Sequence, residues 1–318
     1  MSDLAKRNAF EAHSRGRLYN WAMAYWKNKW IFLMLVPAIV YYFIFKYIPM
    51  YGATLAFKDY HIKAGIWGSP WVGLKHFEQL FGMKSFLEVF RNTILISAYK
   101  LLFGFPMPII FAILLNEMKG DRAKKAVQTI SYLPHFLSWV VLGSIFIQFL
   151  SPSTSPLVYL MEKMGMKPIY FLTSPEHFRS VLVITSIWKS IGWGSIVYLG
   201  SLGNIDTELY DAASVDGCNR LQKIWHVTLP GLTPVITIML LLEIGKLLND
   251  DFDHVYNLYN AAVYRVGDVI STYIYRVGLL GVNYSLATAA GLFKNVLALT
   301  LILGANAITK RINDYGLW

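Results

Sequence analysis

Lys189 and Trp193 stand four residues apart, so a helix would carry them on one face as a cation beside an aromatic ring. That pair suits a ligand that offers a carboxylate and an apolar, sugar-like face. Both lie in a long apolar run, where an ionisable group is costly and therefore informative. Lys46, Arg91, Lys100, Lys246 and Lys294 also fall in or at the edges of such runs, whereas Glu243 is the one carboxylate well inside one. Lys46 and Arg91 are close enough to the ends to snorkel; Lys100 and Lys189 are too deep and need a partner or water. Two readings of the cationic excess stand open. Either Lys189 pairs with Glu243 as structural glue, or Trp188, Lys189, Trp193, Glu243, Lys246, Asn249 and Lys294 line a wet path for an anionic substrate. The acidic group Asn249, Asp250, Asp251 and Asp253 reads as a solvated helix end, or as a contact for basic groups on an external protein.

Covalent chemistry finds no residues to carry it. A phosphate-cradling loop needs G-x-x-x-x-G-K-[ST], and "GSPWVGLK" (68–75) has Leu74 where the lysine belongs. "GWG" (192–194) lacks the third glycine of a dinucleotide fingerprint, no H-E-x-x-H occurs, and the seven histidines are scattered. The single cysteine, Cys218, excludes an internal disulfide, and no Cys/His spacing suggests a metal site. The expectation is a chain without catalytic residues, cofactor or metal of its own.

The elements that must position these residues read as membrane helices. Of 318 residues, 55% are hydrophobic and 15% charged, with a mean hydropathy of +0.43. Six runs approach the ~20 residues needed to cross ~30 Å of hydrocarbon: 30–49, 92–115, 132–150, 181–202, 232–248 and 287–308. The expected fold is therefore an all-α integral membrane protein of six spans over residues 30–308, with a segment 1–29 before it and a tail 309–318 after it. The first run is too long and too late for a signal-peptide core, which makes it a retained anchor. Trp21, Tyr25 and Trp26 beside Lys27 and Lys29 form an interfacial mix of rings and cations.

With the N-terminus in the cytoplasm, the inner segments hold 14 Lys and Arg over about 82 residues, against 9 over about 106 outside. The net charge of +10 thus sets topology, with both ends inside, rather than indicating nucleic acid. Pro37, Pro106, Pro108, Pro134, Gly192 and Gly194 fall within spans as helix breakers. They indicate a packed bundle around a path, unless they reflect only the frequency of proline in membrane helices.

Between the fourth and fifth runs, on the cytoplasmic side, lies the polar passage "LYDAASVDGCNRLQKIWHVTLP" (209–230). Asp206 or Thr207 can cap a helix start, Glu208 suits its first turn, and Gly217 suits a left-handed ending. Asn219 with Gln222 makes a variant capping box for a second short helix, and Pro230 closes the segment before the next span. The expectation is a compact helix-turn-helix over 204–231, with Ala212 and Ala213 leaving one side thin.

Asp211-Ala212-Ala213, three residues, Gly217, nine residues, Val227, one residue, Leu229-Pro230 resembles the loop of permease subunits of binding-protein-dependent ABC importers. That loop reads Glu-Ala-Ala, three, Gly, nine, Ile, one, Leu-Pro. Asp211 and Val227 depart from it, and Asp211 reaches one methylene less. "FKYIPMYGATLAFKDY" (45–60), "GSPWVGLKHFEQLF" (68–81), "YLPHFLSWVV" (132–141), "ISTYIYRVGL" (270–279) and the ending "YGLW" extend the resemblance along the chain to the polysaccharide-permease branch.

The resemblance implies a type I ABC importer permease fold in the bacterial cytoplasmic (inner) membrane. It assigns coupling to an ATP-binding subunit to Glu208, Asp211, Ala212, Ala213, Asp216, Gly217, Leu229 and Pro230. It implies a second permease subunit in a heterodimer, two ATP-binding subunits that hold ATP and Mg, and an extracytoplasmic solute-binding protein. Together with the intramembrane lysines it points to an acidic oligosaccharide cargo of the uronate or alginate type. An ion-coupled secondary sugar transporter is the alternative, and would need carboxylates deep in several spans. A glycan-processing enzyme would need opposed carboxylates at one membrane face.

Overall fold

The computed structural model describes residues 26–151, 155–248 and 252–313. The expectations for Trp21, Tyr25, Asn249, Asp250, Asp251 and the ending "YGLW" lie outside the described residues. Among those described, the chain is helical, and its one extended pairing is an isolated bridge between Lys58 and Trp71. A bilayer has no water for loose N–H and C=O groups, and a helix satisfies them within one segment. The helices that matter here are, in chain order, α1 (Lys29–Phe57), α2 (Lys84–Glu117), α3 (Asp121–Tyr132), α4 (Trp139–Leu150), α5 (Pro175–Leu202), α6 (Thr207–Val215), α7 (Arg220–Lys246), α8 (Phe252–Leu258), α9 (Ile270–Ile274) and α10 (Tyr284–Asn313).

Residues up to Thr54 form one compact unit, and Leu55 onward a second. In the first, Lys29 Nζ lies 5.4 Å from the Trp26 ring and 5.6 Å from that of Trp30, the ring-and-cation mix expected ahead of a span. In the second, α2 threads three buried clusters. Phe86 and Val89 meet Ile270 and Ala289; Ile96 meets Phe178, Leu182 and Val255; Ile109 and Ala112 meet Tyr198 and Leu232.

α1, α2, α5, α7 and α10 are long and apolar enough to cross a membrane, and α3 with α4 adds a sixth crossing if the bent pair is one span. That pair includes the third run expected at 132–150, and it is bent beside Pro134, one of the breakers named within that run. Pro134 sits in a 3-10 turn, Ser138 accepts the Val141 N–H to cap α4, and the two helices meet at 104°. The twelve residues of α4 reach only ~18 Å.

Pro134 sits at that bend, whereas the helices run on through the other prolines named as breakers. In α1, α2 and α7 a π-helical stretch ends two residues before a proline: 43–47 before Pro49, 100–104 before Pro106, 224–228 before Pro230. A proline ring clashes with the carbonyl four residues back, here that of Phe45, Leu102 and His226, the middle of each stretch. The wider turn relieves that clash, so the helices run on through their prolines. Pro230 therefore does not close the helix-turn-helix; its second helix is the first turns of α7. Gly192 and Gly194 also lie inside an unbroken helix, where they permit close approach: a Cβ on Gly192 would sit 2.2 Å from the Ser131 carbonyl oxygen of α3.

Candidate functional site

The helix-turn-helix is held at each joint. Asp206 accepts the Glu208 N–H at 2.9 Å, and α6 ends on Gly217 with φ of 76°. Asn219 and Gln222 make both bonds of a capping box, at 2.9 and 2.7 Å. Lys223 Nζ donates to Ser214 Oγ at 2.6 Å, and the Tyr210 and Thr228 hydroxyls meet at 3.0 Å, so α6 is clamped to the start of α7. Glu208, Asp211, Ala212, Asp216 and Gly217 are exposed, and Ala213 is half-buried. Val215 (89% exposed), Leu221 and Trp225 add an apolar surface that the spacing pattern did not single out. Leu229 instead packs into the bundle beside Leu202 and Leu232, and Pro230 sits at the π-helical turn.

A cavity of about 450 Å³ lies between α2, α4, α5, α7 and α8. Lys189, Trp193, Glu243 and Lys246 line it, as does Lys100. Trp188 turns to Phe146, edge to face at 5.5 Å, and Lys294 donates to Ser271 at 3.3 Å; neither lines the cavity. Asn249 lies outside the described residues.

Among the lining residues that the sequence reading did not single out are His135, Trp139, Tyr198 and His254. Lys189 Nζ donates to the Leu137 carbonyl and stands 4.9 Å from the Trp139 ring. Its anchor is thus the corner between α3 and α4 and a cation–π contact. Trp139 stacks on His254 at 3.8 Å, and Trp193 stacks on His135 at 4.5 Å with planes 3° apart. His254 is buried, with Nδ1 2.9 Å from Lys100 Nζ and Nε2 2.9 Å from Thr185 Oγ1. An ammonium only donates, so Nδ1 accepts and Nε2 carries the proton. Thr185 can accept it, because its own hydroxyl donates to the Val181 carbonyl at 2.7 Å.

These contacts arrange cations and ring faces around a confined space in a membrane bundle, with an exposed, capped helix-turn-helix at one end of α7. That arrangement suits a solute permease. The chain belongs to the family of binding-protein-dependent transport system inner membrane components, which it matches over residues 104–314. It is 39% identical to Protein LplB of Bacillus subtilis (strain 168), over the full length of both chains. It is 40% identical to the polygalacturonan/rhamnogalacturonan transport system permease protein YteP of the same organism, covering 92% of this chain and 91% of that one.

A solved structure of a bacterial ABC transporter involved in the import of the acidic polysaccharide alginate contains a chain 42% identical to this one, with a TM-score of 0.86. The match covers 93% of this chain and 99% of that chain. A second, of bacterial alginate ABC transporter in complex with alginate pentasaccharide-bound periplasmic protein, matches at 41% identity with the same TM-score and coverage. The fold is that of an ABC importer permease.

Proposed function

We propose that this chain is one permease half of an ATP-driven importer of acidic oligosaccharides. The cavity carries the reading: Lys100, Lys189 and Lys246 line it with Glu243, the single lining carboxylate among the described residues, and with the Trp139 and Trp193 rings. Cations in a confined space attract a uronate carboxylate more strongly than they would in open water, and the Trp193 indole, stacked on His135 on one face, has its other face for the sugar ring. The names of the relatives point the same way, since polygalacturonan and alginate are both uronate polymers. The ion-coupled alternative draws no support from a cavity with one carboxylate among the described residues.

In this reading ATP and Mg are held by two separate ATP-binding subunits, and a second permease subunit completes the pathway. A solute-binding protein delivers cargo at the far side. Glu208, Asp211, Ala212, Ala213, Asp216 and Gly217 dock on an ATP-binding subunit. Because the second arm of the helix-turn-helix is continuous with α7, a push on α6 is passed to the helix that carries Glu243 and Lys246. The chain itself makes and breaks no covalent bond.

The test is substrate-stimulated ATPase of the assembled complex in lipid, with uronate and neutral oligosaccharides of equal length. Stimulation by uronates is expected, and stimulation by neutral sugars alone would overturn the acidic assignment. The lever is tested by Asn219→Ala, which removes a cap worth about 1 kcal/mol. Stimulated turnover should fall while the amount of assembled complex recovered stays near wild type. Undiminished stimulation would mean that the cap does not stiffen the lever.

A further inference from the structure

We propose that the outward face of α8, with the segment immediately C-terminal to it, is a binding strip for an extended acidic saccharide at the mouth of the pathway; this rests on the reading of the chain as an acidic-oligosaccharide permease. α8 is two-sided. His254, Val255 and Leu258 are buried, and His254 reaches the cavity, while Phe252 and Tyr256, one turn apart, share another side, and Tyr259, just beyond the helix, is half-buried against the cluster of Val255 and Leu258. α7 begins at the helix-turn-helix and ends at Lys246, so α8 emerges at the end of the bundle remote from the coupling lever. The helix that walls the cavity therefore carries aromatic rings on its other side, where cargo enters.

The rings succeed one another without a gap. Phe252 and Tyr256 lie 5.1 Å apart with planes at 17°, and both meet Tyr275, at 5.2 and 5.1 Å. Tyr256 meets Tyr259 at 5.9 Å, and Tyr259 meets Tyr264 at 4.8 Å. At that end the Arg276 guanidinium lies 5.5 Å from the Tyr264 ring and 5.8 Å from Tyr273, while bonded to the Asp268 carboxylate. Tyr256 and Tyr264 are each 39% exposed, and about a third of the Arg276 side chain is open.

The strip is braced. Asn92 Nδ2 donates to the Arg265 and Asp268 carbonyls at 3.0 and 3.2 Å. Arg179 donates to Asn92 Oδ1 at 2.8 Å and to the Val266 carbonyl at 3.1 Å. Thr272 Oγ1 donates to Asp268 Oδ1 at 2.7 Å. Burial pushes the Asp268 carboxyl up from its ordinary range, and the Thr272 hydrogen bond and the Arg276 charge oppose that rise.

This chemistry fits a sugar chain. A pyranose has a flat C–H face that lies on an aromatic ring and a hydroxyl edge that tyrosine hydroxyls can bond. Successive rings set about one sugar apart let a chain advance by exchanging one contact at a time. Arg276 has donors in a planar fork beyond those given to Asp268, and a uronate carboxylate matches that fork. The bracing holds the rings in place before cargo arrives, which lowers the ordering cost of binding.

The rival occupant is the binding protein itself, since tyrosine and arginine are also favoured at protein interfaces. A photoreactive phenylalanine at position 256 or 264 keeps the aromatic bulk and separates the two. Illuminated during turnover with uronate-loaded binding protein, the complex should give a saccharide adduct at both positions by mass spectrometry. Adducts to binding-protein peptides in place of saccharide would overturn the proposal. Tyr256→Leu with Tyr264→Leu should also slow transport of chains of four or more sugars by about 5-fold, with less effect on a monosaccharide. Equal rates at every length would sink the strip alone. A wild-type complex that moves no saccharide would sink the importer reading with it.

Discussion

Gly192→Ala is expected to destabilise the bundle by about 1–3 kcal/mol or more, and Gly200→Ala, two turns further along the same helix, to leave it unchanged or slightly more stable. The difference lies in what an added Cβ meets. At Gly200 nothing lies within 4 Å. At Gly194 the nearest atoms are Pro108 Cγ and Cβ at 3.0 and 3.1 Å, a ring that can give by a few tenths of an ångström. At Gly192 they are the Ser131 carbonyl oxygen and carbon at 2.2 and 2.4 Å, which are backbone atoms in the last turn of α3. That turn cannot retreat alone, because the 3-10 corner after it carries His135, stacked on Trp193, and leads to the Leu137 carbonyl that Lys189 holds. The readout is the half-life of stimulated ATPase at elevated temperature for the purified complex in lipid, a rate being the appropriate measure for a membrane assembly that unfolds irreversibly. The expected order of half-lives is Gly200→Ala, then Gly194→Ala, then Gly192→Ala. A Gly192→Ala complex as durable as Gly200→Ala would refute the close approach of α3 and α5.

The same glycine shows what the sequence could and could not convey. Hydropathy located the crossings well, because lipid demands an apolar stretch of fixed length whatever the packing, and α2, α5 and α10 contain the runs read at 92–115, 181–202 and 287–308. The caps of the helix-turn-helix were equally legible: Asp206, Gly217, Asn219 and Gln222 act through neighbours two to four residues away. Breakers were legible only in part: the third run is bent beside Pro134, but a proline or glycine states only what its own backbone cannot do. Whether the chain answers with a kink, a π-turn or a tight crossing depends on the helix opposite, and the π-turns before Pro106 and Pro230 and the Ser131 contact at Gly192 have no local signature. The cavity was half legible for the same reason. Lys189 and Trp193 announce themselves by standing in an apolar run. His254 gives no such sign: it comes from a seven-residue helix beyond the fifth crossing and meets Lys100 and Thr185 only through long-range packing.

Lys189 carries two duties, and a pair of substitutions should separate them. Its ammonium satisfies the Leu137 carbonyl at the α3–α4 corner and presents a charge to the cavity above the Trp139 ring. Lys189→Met removes both, leaving the carbonyl of the half-buried Leu137 without that donor, at a cost of up to about 1–3 kcal/mol. Lys189→Gln retains N–H donors but no charge, so it should hold the corner better than methionine while losing the attraction for a carboxylate. Expected for Lys189→Gln is a rise of roughly 10-fold or more in the uronate concentration giving half-maximal ATPase, as a charged hydrogen bond worth ~1.5–3 kcal/mol is lost. For a neutral oligosaccharide the change should stay within about 2-fold, and thermal half-life should lie nearer wild type than that of Lys189→Met. An equal rise for charged and neutral sugars in the glutamine variant would assign Lys189 to the corner alone. Lys100 and Lys246 would then have to account for any acidic preference, Lys100 while it donates to the buried His254 of α8. A selective loss in Lys189→Gln would instead make the charge over Trp139 the point at which the cavity distinguishes a uronate from a neutral sugar.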